Sequence, residues 1–360
     1  MRLQNLSSNI KKAKQEETDT PPFAANTMSL SNGDITYTDH SDGTVTKLKG
    51  VDIGIKNLLL RNIKKRSLLH GLSFKGSFHS KKITSHDVEL SDLTFNINAK
   101  EGLYNVRELS STLFSGKGKG EVTYDVTGTT PSLKIQSTLS QFRLEEFLHA
   151  LSEKKHMEGE CDLSLNLSMQ GKSMGEMITT MKGHTSMQGE NLVIKNYDID
   201  TILSNYRKTQ NIGALDIGAF FLAGPVGTAV TKGFDYEELH RSTGAQGGIM
   251  KKFVSDWKIE KGIAAADDVA MSTRKNRLAV KGNMDFVNEK YENVIVALID
   301  AKGCAELTQK IHGSLNNPQF EKTSVLKSAA GSVLSIIGKA EKIIPGAECE
   351  PFYKGSVQHP

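Results

Sequence analysis

The chain has 360 residues, 24% charged and 38% apolar, a balance that suits a folded globular chain and excludes bulk disorder. Its net charge of +4 is small, and its basic residues lie in scattered short runs such as Lys11, Lys12, Lys14 or Arg61, Lys64, Lys65, Arg66, not in the single dense face of a nucleic-acid binder. Aromatic residues are 6%, with one Trp257, too few for a base-stacking platform.

Residues 1–26 read as a polar arm. Met1–Gln15 lacks the apolar core of a signal peptide, Leu3, Leu6 and Ile10 form a weak helical stripe, and Pro21-Pro22 closes a linker. From Thr27 to about Ser140 apolar and polar residues alternate. Examples are Val51, Ile53, Ile55; Leu93, Phe95, Ile97; Val122, Tyr124, Val126; and Leu133, Ile135, Leu139. A period of two marks strands with one apolar and one polar face. Asn32-Gly33, Asp42-Gly43 and Thr127–Pro131 read as turns.

Leu144–Leu151 reads as a helix. The cleanest strand follows, with Cys161, Leu163, Leu165, Leu167 and Met169 on one face. Met174–Met181 reads as a short helix, and His184–Met187 and Leu192–Lys195 as a hairpin about Gln188-Gly189. A helix is expected over Ile199–Tyr206, and a glycine-rich helix–loop insert over about 211–250. Strands resume at Val254–Glu260, Ile263–Ser272, Leu278–Phe286, Val294–Ile299 and Lys310–Ser314. Ser324–Ile344 reads as an amphipathic helix stopped by Pro345-Gly346. The longest apolar run, Ile217–Val230, is broken by Gly224 and Pro225 and falls short of a membrane span.

Many short strands without long crossover helices imply an antiparallel meander. The expected fold is mainly β with a few short helices: an elongated, curved antiparallel sheet forming a groove or flattened half-barrel, with a C-terminal amphipathic helix. Its sheet region is placed at 27–323 and its C-terminal helix and tail at 324–360. The alternative is a sheet curled on itself as a sandwich or closed barrel.

Catalytic chemistry finds no foothold. Gly116-Lys-Gly-Lys-Gly120 lacks phosphate-loop spacing and precedes a strand, not a helix N-terminus. Asp267-Asp268 and the Asp198/Asp200 pair offer carboxylates without a defined cleft, and Asp198 and Asp200 suit a helix start. Dispersed histidines and three cysteines without a CxxC pair argue against a metal site. Cys161 reads as a buried small side chain, whereas Cys304 and Cys349 could pair in an oxidising compartment. The expectation is a non-enzyme with no cofactor. Its apolar strand face is either packed core or a groove for an apolar ligand.

The stretch LKIQSTLSQFRLEEFLHAL, followed by EGECDLSLNLSMQGKSMGEMITTMKGHTSMQGENLVIKNYDIDTILSNY, resembles the C-terminal region of the AsmA family. FFLAGPVGTAVTKGFDY, the region from DVAMSTRKNRLAVKGNMDF to KIHGSLNNP, and ECEPFYKGSVQHP look like the end of a subset of that family. The resemblance implies a periplasmic, inner-membrane-associated module whose anchor is not in this chain. It implies phospholipid transport in outer-membrane biogenesis through a hydrophobic β-groove, with phospholipid acyl chains and envelope membranes as partners. The groove is assigned to Val122, Tyr124, Val126, Leu133, Ile135, Leu139, Leu163, Leu165, Leu167 and Met169. An oxidising periplasm, together with their place in one C-terminal block, makes Cys304–Cys349 the expected disulfide. The alternative function is a non-catalytic adaptor in outer-membrane protein assembly, meeting envelope proteins through edge strands.

Overall fold

The computed structural model of the protein describes residues 22–61, 68–86, 88–151, 157–195, 198–201, 203–204, 217–218, 221, 247–325 and 349–360. Among these residues seventeen strands form one antiparallel sheet. They are β1 (Phe23–Thr38), β2 (Val45–Leu60), β3 (Leu72–Ser85), β4 (Val88–Lys100), β5 (Leu103–Leu113), β6 (Gly116–Asp125), β7 (Ser132–Arg143), β8 (Met157–Glu158), β9 (Glu160–Gln170), β10 (Lys182–Ile194), β11 (Gly248–Glu260), β12 (Ile263–Ser272), β13 (Arg277–Asp285), β14 (Lys290–Ile299), β15 (Ala305–Ser314), β16 (Asn317–Phe320) and β17 (Ser324–Val325). Strands pair in sequence order from β1–β2 to β15–β16 except that β7 pairs with β9, past β8, and β15 pairs with β17 as well as β16. β8 lies against the end of β10 and continues the line of β9 past Gly159. The sheet is not closed into a barrel.

Three short helices punctuate the meander: α1 (Leu68–Gly71), α2 (Leu144–Leu151) and α3 (Met174–Thr180). In α2, Leu144 and Leu148 sit one turn apart and are both buried, while Glu145 and Glu146 complement the positive end of the helix dipole. Ser173 caps α3, its hydroxyl accepting the Glu176 backbone N–H at 3.2 Å.

Several expectations are corrected. β1 begins at Phe23, inside the arm placed at 1–26. Asn32-Gly33 makes no turn; it lies within β1, where Asn32 takes a positive φ of 49° and the register shifts as at a bulge. The hairpin expected about Gln188-Gly189 is one continuous strand, β10. Gly189 faces Cys161 and Phe253 across its neighbours, and a Cβ there would meet the Cys161 sulfur at 2.7 Å. That glycine admits close packing and does not reverse the chain. Ser324 and Val325, expected to open a helix, form β17, and the remainder of the expected C-terminal helix lies outside the described residues.

The core is concentrated in the second half. One cluster joins Trp257, Ile259, Met271, Leu278, Val296 and Ile311 on one face, with Leu144, Leu148, Ile199, Leu203, Ile217 and Phe221 over them. On the opposite face Val254, Ala270, Ala279, Ile295 and Ala297 pack under Phe352, Tyr353 and Val357 of the C-terminal segment. The late strands are therefore covered on both sides.

Candidate functional site

Cross-strand partners share a face of the sheet, so the register traces which side chains form a continuous surface. One rung runs Met28, Ile55, Gly76, Ile97, Val106, Val122, Ile135, Leu167, Gly183, Ile259, Ala264, Met284 and Tyr291, each paired with the next. It crosses from β1 to β14 with no charged side chain. The rung one residue away, on the other face, runs Thr27, Lys56, Lys75, Asn98, Asn105, Thr123, Lys134, Ser168 and Lys182. Every member of that rung is polar.

Burial changes along the apolar rung. Met28 is 46% exposed at one end, whereas Ile259, Met284 and Tyr291 are 5–6% exposed at the other. Between them Ile55, Ile97, Val106, Val122, Ile135 and Leu167 are half-buried. The described helices pack at β2 (α1), at β7 and β8 (α2) and at β9 (α3). α1 also reaches β5, where the Tyr104 hydroxyl donates to the Leu69 carbonyl at 2.7 Å, and α2 meets the β5–β6 turn, where Phe147 lies edge-on to Phe114 at 5.6 Å. Among the described residues the apolar face is thus half-exposed over the middle of the early strands and closed by Leu144, Leu148, Ile199, Leu203, Ile217 and Phe221 over the late ones.

The structure brings the ten expected groove residues onto this one face. Val122 and Tyr124 lie opposite Ile135 and Leu133, which in turn lie opposite Leu167 and Met169. Leu139 lies opposite Leu163, and Leu165 sits between Ser137 and Thr185, where small polar residues interrupt the surface. Two of the ten belong to closed packing. Val126 is buried with Ala99 and Tyr104 beyond the end of β6, and Leu139 is buried in the cluster with Phe142 and Leu148. The other eight are half-buried.

Sequence reading missed the earlier half of the face, where Met28, Leu30, Ile53, Phe78 and Phe95 line up. Leu30 faces Ile53, which faces Phe78, which faces Phe95. The Phe78 and Phe95 rings stack with centroids 4.9 Å apart. The alternation of each strand was visible; the lateral register, set partly by bulges, was not.

Gly116–Gly120 opens β6 as strand. A Cβ on Gly116 would lie 2.7 Å from the Phe142 Cα, so its role is steric. The polar face has a shallow hollow of about 600 Å³ lined by Lys119, Glu121, Gln136, Thr138, Asn166 and His184 among others, a poor place for a hydrocarbon chain.

The aspartates do structural work. Asp198 accepts the Asp200 backbone N–H at 3.0 Å and the Thr201 hydroxyl at 2.8 Å. Asp200 accepts the Thr273 hydroxyl and the Arg274 backbone N–H, tying the segment to the β12–β13 turn. Asp268 accepts the Tyr353 hydroxyl and the Ser356 backbone N–H. Arg277 donates to the backbone carbonyls of Val357 at 3.1 Å and Asp300 at 2.6 Å. Cys304 and Cys349 are joined as a disulfide with Cα atoms 6.0 Å apart, and Cys161 is free and buried. Burial, with lesser help from Asp162 and Glu145, pushes the Cys161 thiol up to about 12. Among the described residues there is no group of three or more His, Cys, Asp or Glu side chains placed to hold a metal. No described helix is long and apolar enough to cross a membrane.

No curated protein and no solved structure matches the chain. A family model does: that of the AsmA family, over residues 72–265. The matched span takes in β3–β11 and most of the half-buried apolar face, and covers more than half of the sequence. The chain belongs to the AsmA family.

Proposed function

We propose that this protein is a non-catalytic lipid-binding and lipid-transfer module that carries phospholipid acyl chains on the half-buried apolar face of β1–β9. Family membership suggests an envelope- or lipid-related role. The observation that supports lipid in particular is the pair of adjacent rungs, one wholly uncharged and apolar, the other wholly polar. An acyl chain needs an uninterrupted apolar surface and no specific polar partner, and each buried CH₂ contributes about 0.8 kcal/mol. At about 4.8 Å between strands, the span from β1 to β7 offers roughly 29 Å of such surface. The proposed setting is the periplasm beside the inner membrane, in support of outer-membrane biogenesis. The Cys304–Cys349 pair suits an oxidising compartment of that kind.

Native mass spectrometry of gently extracted protein tests the reading. Co-purifying phospholipid is expected in the wild type and is expected to fall several-fold in Ile97→Asp and Val122→Asp, with Lys75→Gln on the polar rung as control. Lipid-free wild-type protein, or equal lipid in all variants, removes the proposal.

A second reading, an adaptor in outer-membrane protein assembly, draws on the unpaired outer edge of β1 among the described residues. A stoichiometric envelope-protein partner with lipid absent would favour it.

A further inference from the structure

We propose that β1 is a dimerisation edge on which a second copy of this chain pairs strand to strand, joining the two apolar faces into one. The inference rests on the edge itself and stands apart from the lipid reading.

The two ends of the sheet are built differently. At the late end, β16 has four residues including Pro318, and β17 has two. Short strands and proline are devices that blunt an edge against further pairing. β1 has sixteen residues, contains no proline, and carries one charge, Asp34. Its face-side residues Met28, Leu30, Ile35 and Tyr37 are 46%, 42%, 37% and 60% exposed. Among the described residues its outer edge has no partner strand. Against these stand the bulge at Asn32 and the one charge of Asp34; on either side of the bulge β1 is regular extended strand whose apolar side chains gain from pairing.

The occupant is argued from self-complementarity. A two-fold axis normal to the sheet, placed at the Asn32 bulge, sets Met28 opposite the partner copy's residue 37 and Leu30 opposite its residue 35. All four side chains then lie on the same apolar face, because the β1–β2 register puts them there with Ile55, Ile53, Leu48 and Thr46. Asp34 falls opposite a serine, so no like charges meet. The chain's own residues 1–20 are a poor alternative, since their pattern has no period of two and many charges. The contact is isologous and closes on itself, so it stops at two copies.

The test measures the mass of the full-length chain by light scattering at micromolar concentration. The wild type is expected at twice the 39.4 kDa of the chain. Two double variants remove the same apolar side chains but differ in sign. L30K/I35K sets lysine against lysine and is expected to be monomeric, whereas L30K/I35E sets lysine against glutamate and is expected to remain dimeric. Two reversed pairs make about a tenfold or larger difference in dissociation constant. A separate check uses M28C/Y37C, expected to form a covalent dimer on a non-reducing gel, while M28C alone does not. A monomeric wild type, equal behaviour of the two charge variants, or no cross-link overturns the proposal. A monomer that binds lipid would overturn the dimer alone and leave the lipid reading intact.

Discussion

The Tyr353 hydroxyl donates to Asp268 in β12 and accepts the Val357 backbone N–H at 3.0 Å, so one side chain fastens the C-terminal segment to the sheet. Around it Arg277 lies 5.5 Å from the Tyr353 ring centroid and Lys281 lies 5.0 Å from that of Phe352. The first prediction concerns this anchor. Tyr353→Phe removes a donor to a carboxylate and leaves the Val357 N–H without that acceptor. It is expected to cost about 1–3 kcal/mol in urea unfolding with the disulfide intact. A midpoint equal to wild type would show that the contact contributes nothing.

The disulfide gives the second prediction. Its cysteines are 45 residues apart in sequence, and the chain-entropy model gives a loop of that size about 4 kcal/mol. The double variant C304A/C349A is expected to lose up to this amount while keeping the far-ultraviolet sheet signal. Thiol counting on denatured, unreduced protein from an oxidising compartment should find one free thiol, Cys161. Three would contradict the bond.

The open and closed parts of the apolar face should respond differently to a buried charge, which is the third prediction. Leu165 is half-buried between Ser137 and Thr185. Leu165→Asp should therefore cost no more than about 1–2 kcal/mol and deplete bound lipid. Phe142 is 0% exposed and touches Phe147 edge-on at 5.5 Å; Phe142→Ala should cost about 3–5 kcal/mol. Equal losses at the two sites would mean that the face is closed at Leu165 as well.

The fourth prediction follows from Cys161. Its thiol is held up to about 12 from an ordinary 9.0, so the folded protein keeps a proton there that the unfolded chain releases. A raised value stabilises the fold fully below the unfolded value and loses that contribution as pH rises toward the folded one. Between pH about 9 and 12 the wild type should lose up to about 1.4 kcal/mol per pH unit from this group. C161A should lack that share of the alkaline decline when the two pH profiles are overlaid. Thiol reagents should leave native Cys161 unmodified near neutral pH.

Much of this architecture was legible because a strand's period needs only its own residues. α2 matches the expected Leu144–Leu151, and β12 the expected Ile263–Ser272. Strand ends were less visible. β11 starts at Gly248 and β14 at Lys290, earlier than alternation alone suggested, since Lys251, Lys252 and Glu292 break the pattern while the ladder continues. Asn32-Gly33 and Gln188-Gly189 look like turns locally, but lateral pairing overrides the dipeptide preference. Strict alternation put the ten assigned residues on one strand face, where eight are half-buried and Val126 and Leu139 belong to closed packing. The Met28–Phe95 portion was missed because bulges at Asn32 and Asp92 shift the phase within single strands. Nothing in the residue pattern marked Tyr353 as the partner of Asp268 or Val357 as that of Arg277, because they meet across 85 and 80 positions of sequence.

The nearest-neighbour pairing of the meander also governs how the molecule comes into being. Each strand from β2 to β7 closes against the one made just before it, through short connections. Such local closure carries a low loop-entropy cost and permits fast, sequential growth. A chain emerging N-terminus first can add each strand to the edge just finished. The Cys349 staple and the Tyr353 anchor belong to residues 349–360 and reach back to β12, β13 and the Cys304 turn. They can engage only after β12–β15 have been made, which makes the covalent closure of the late strands a record that those strands have been laid down.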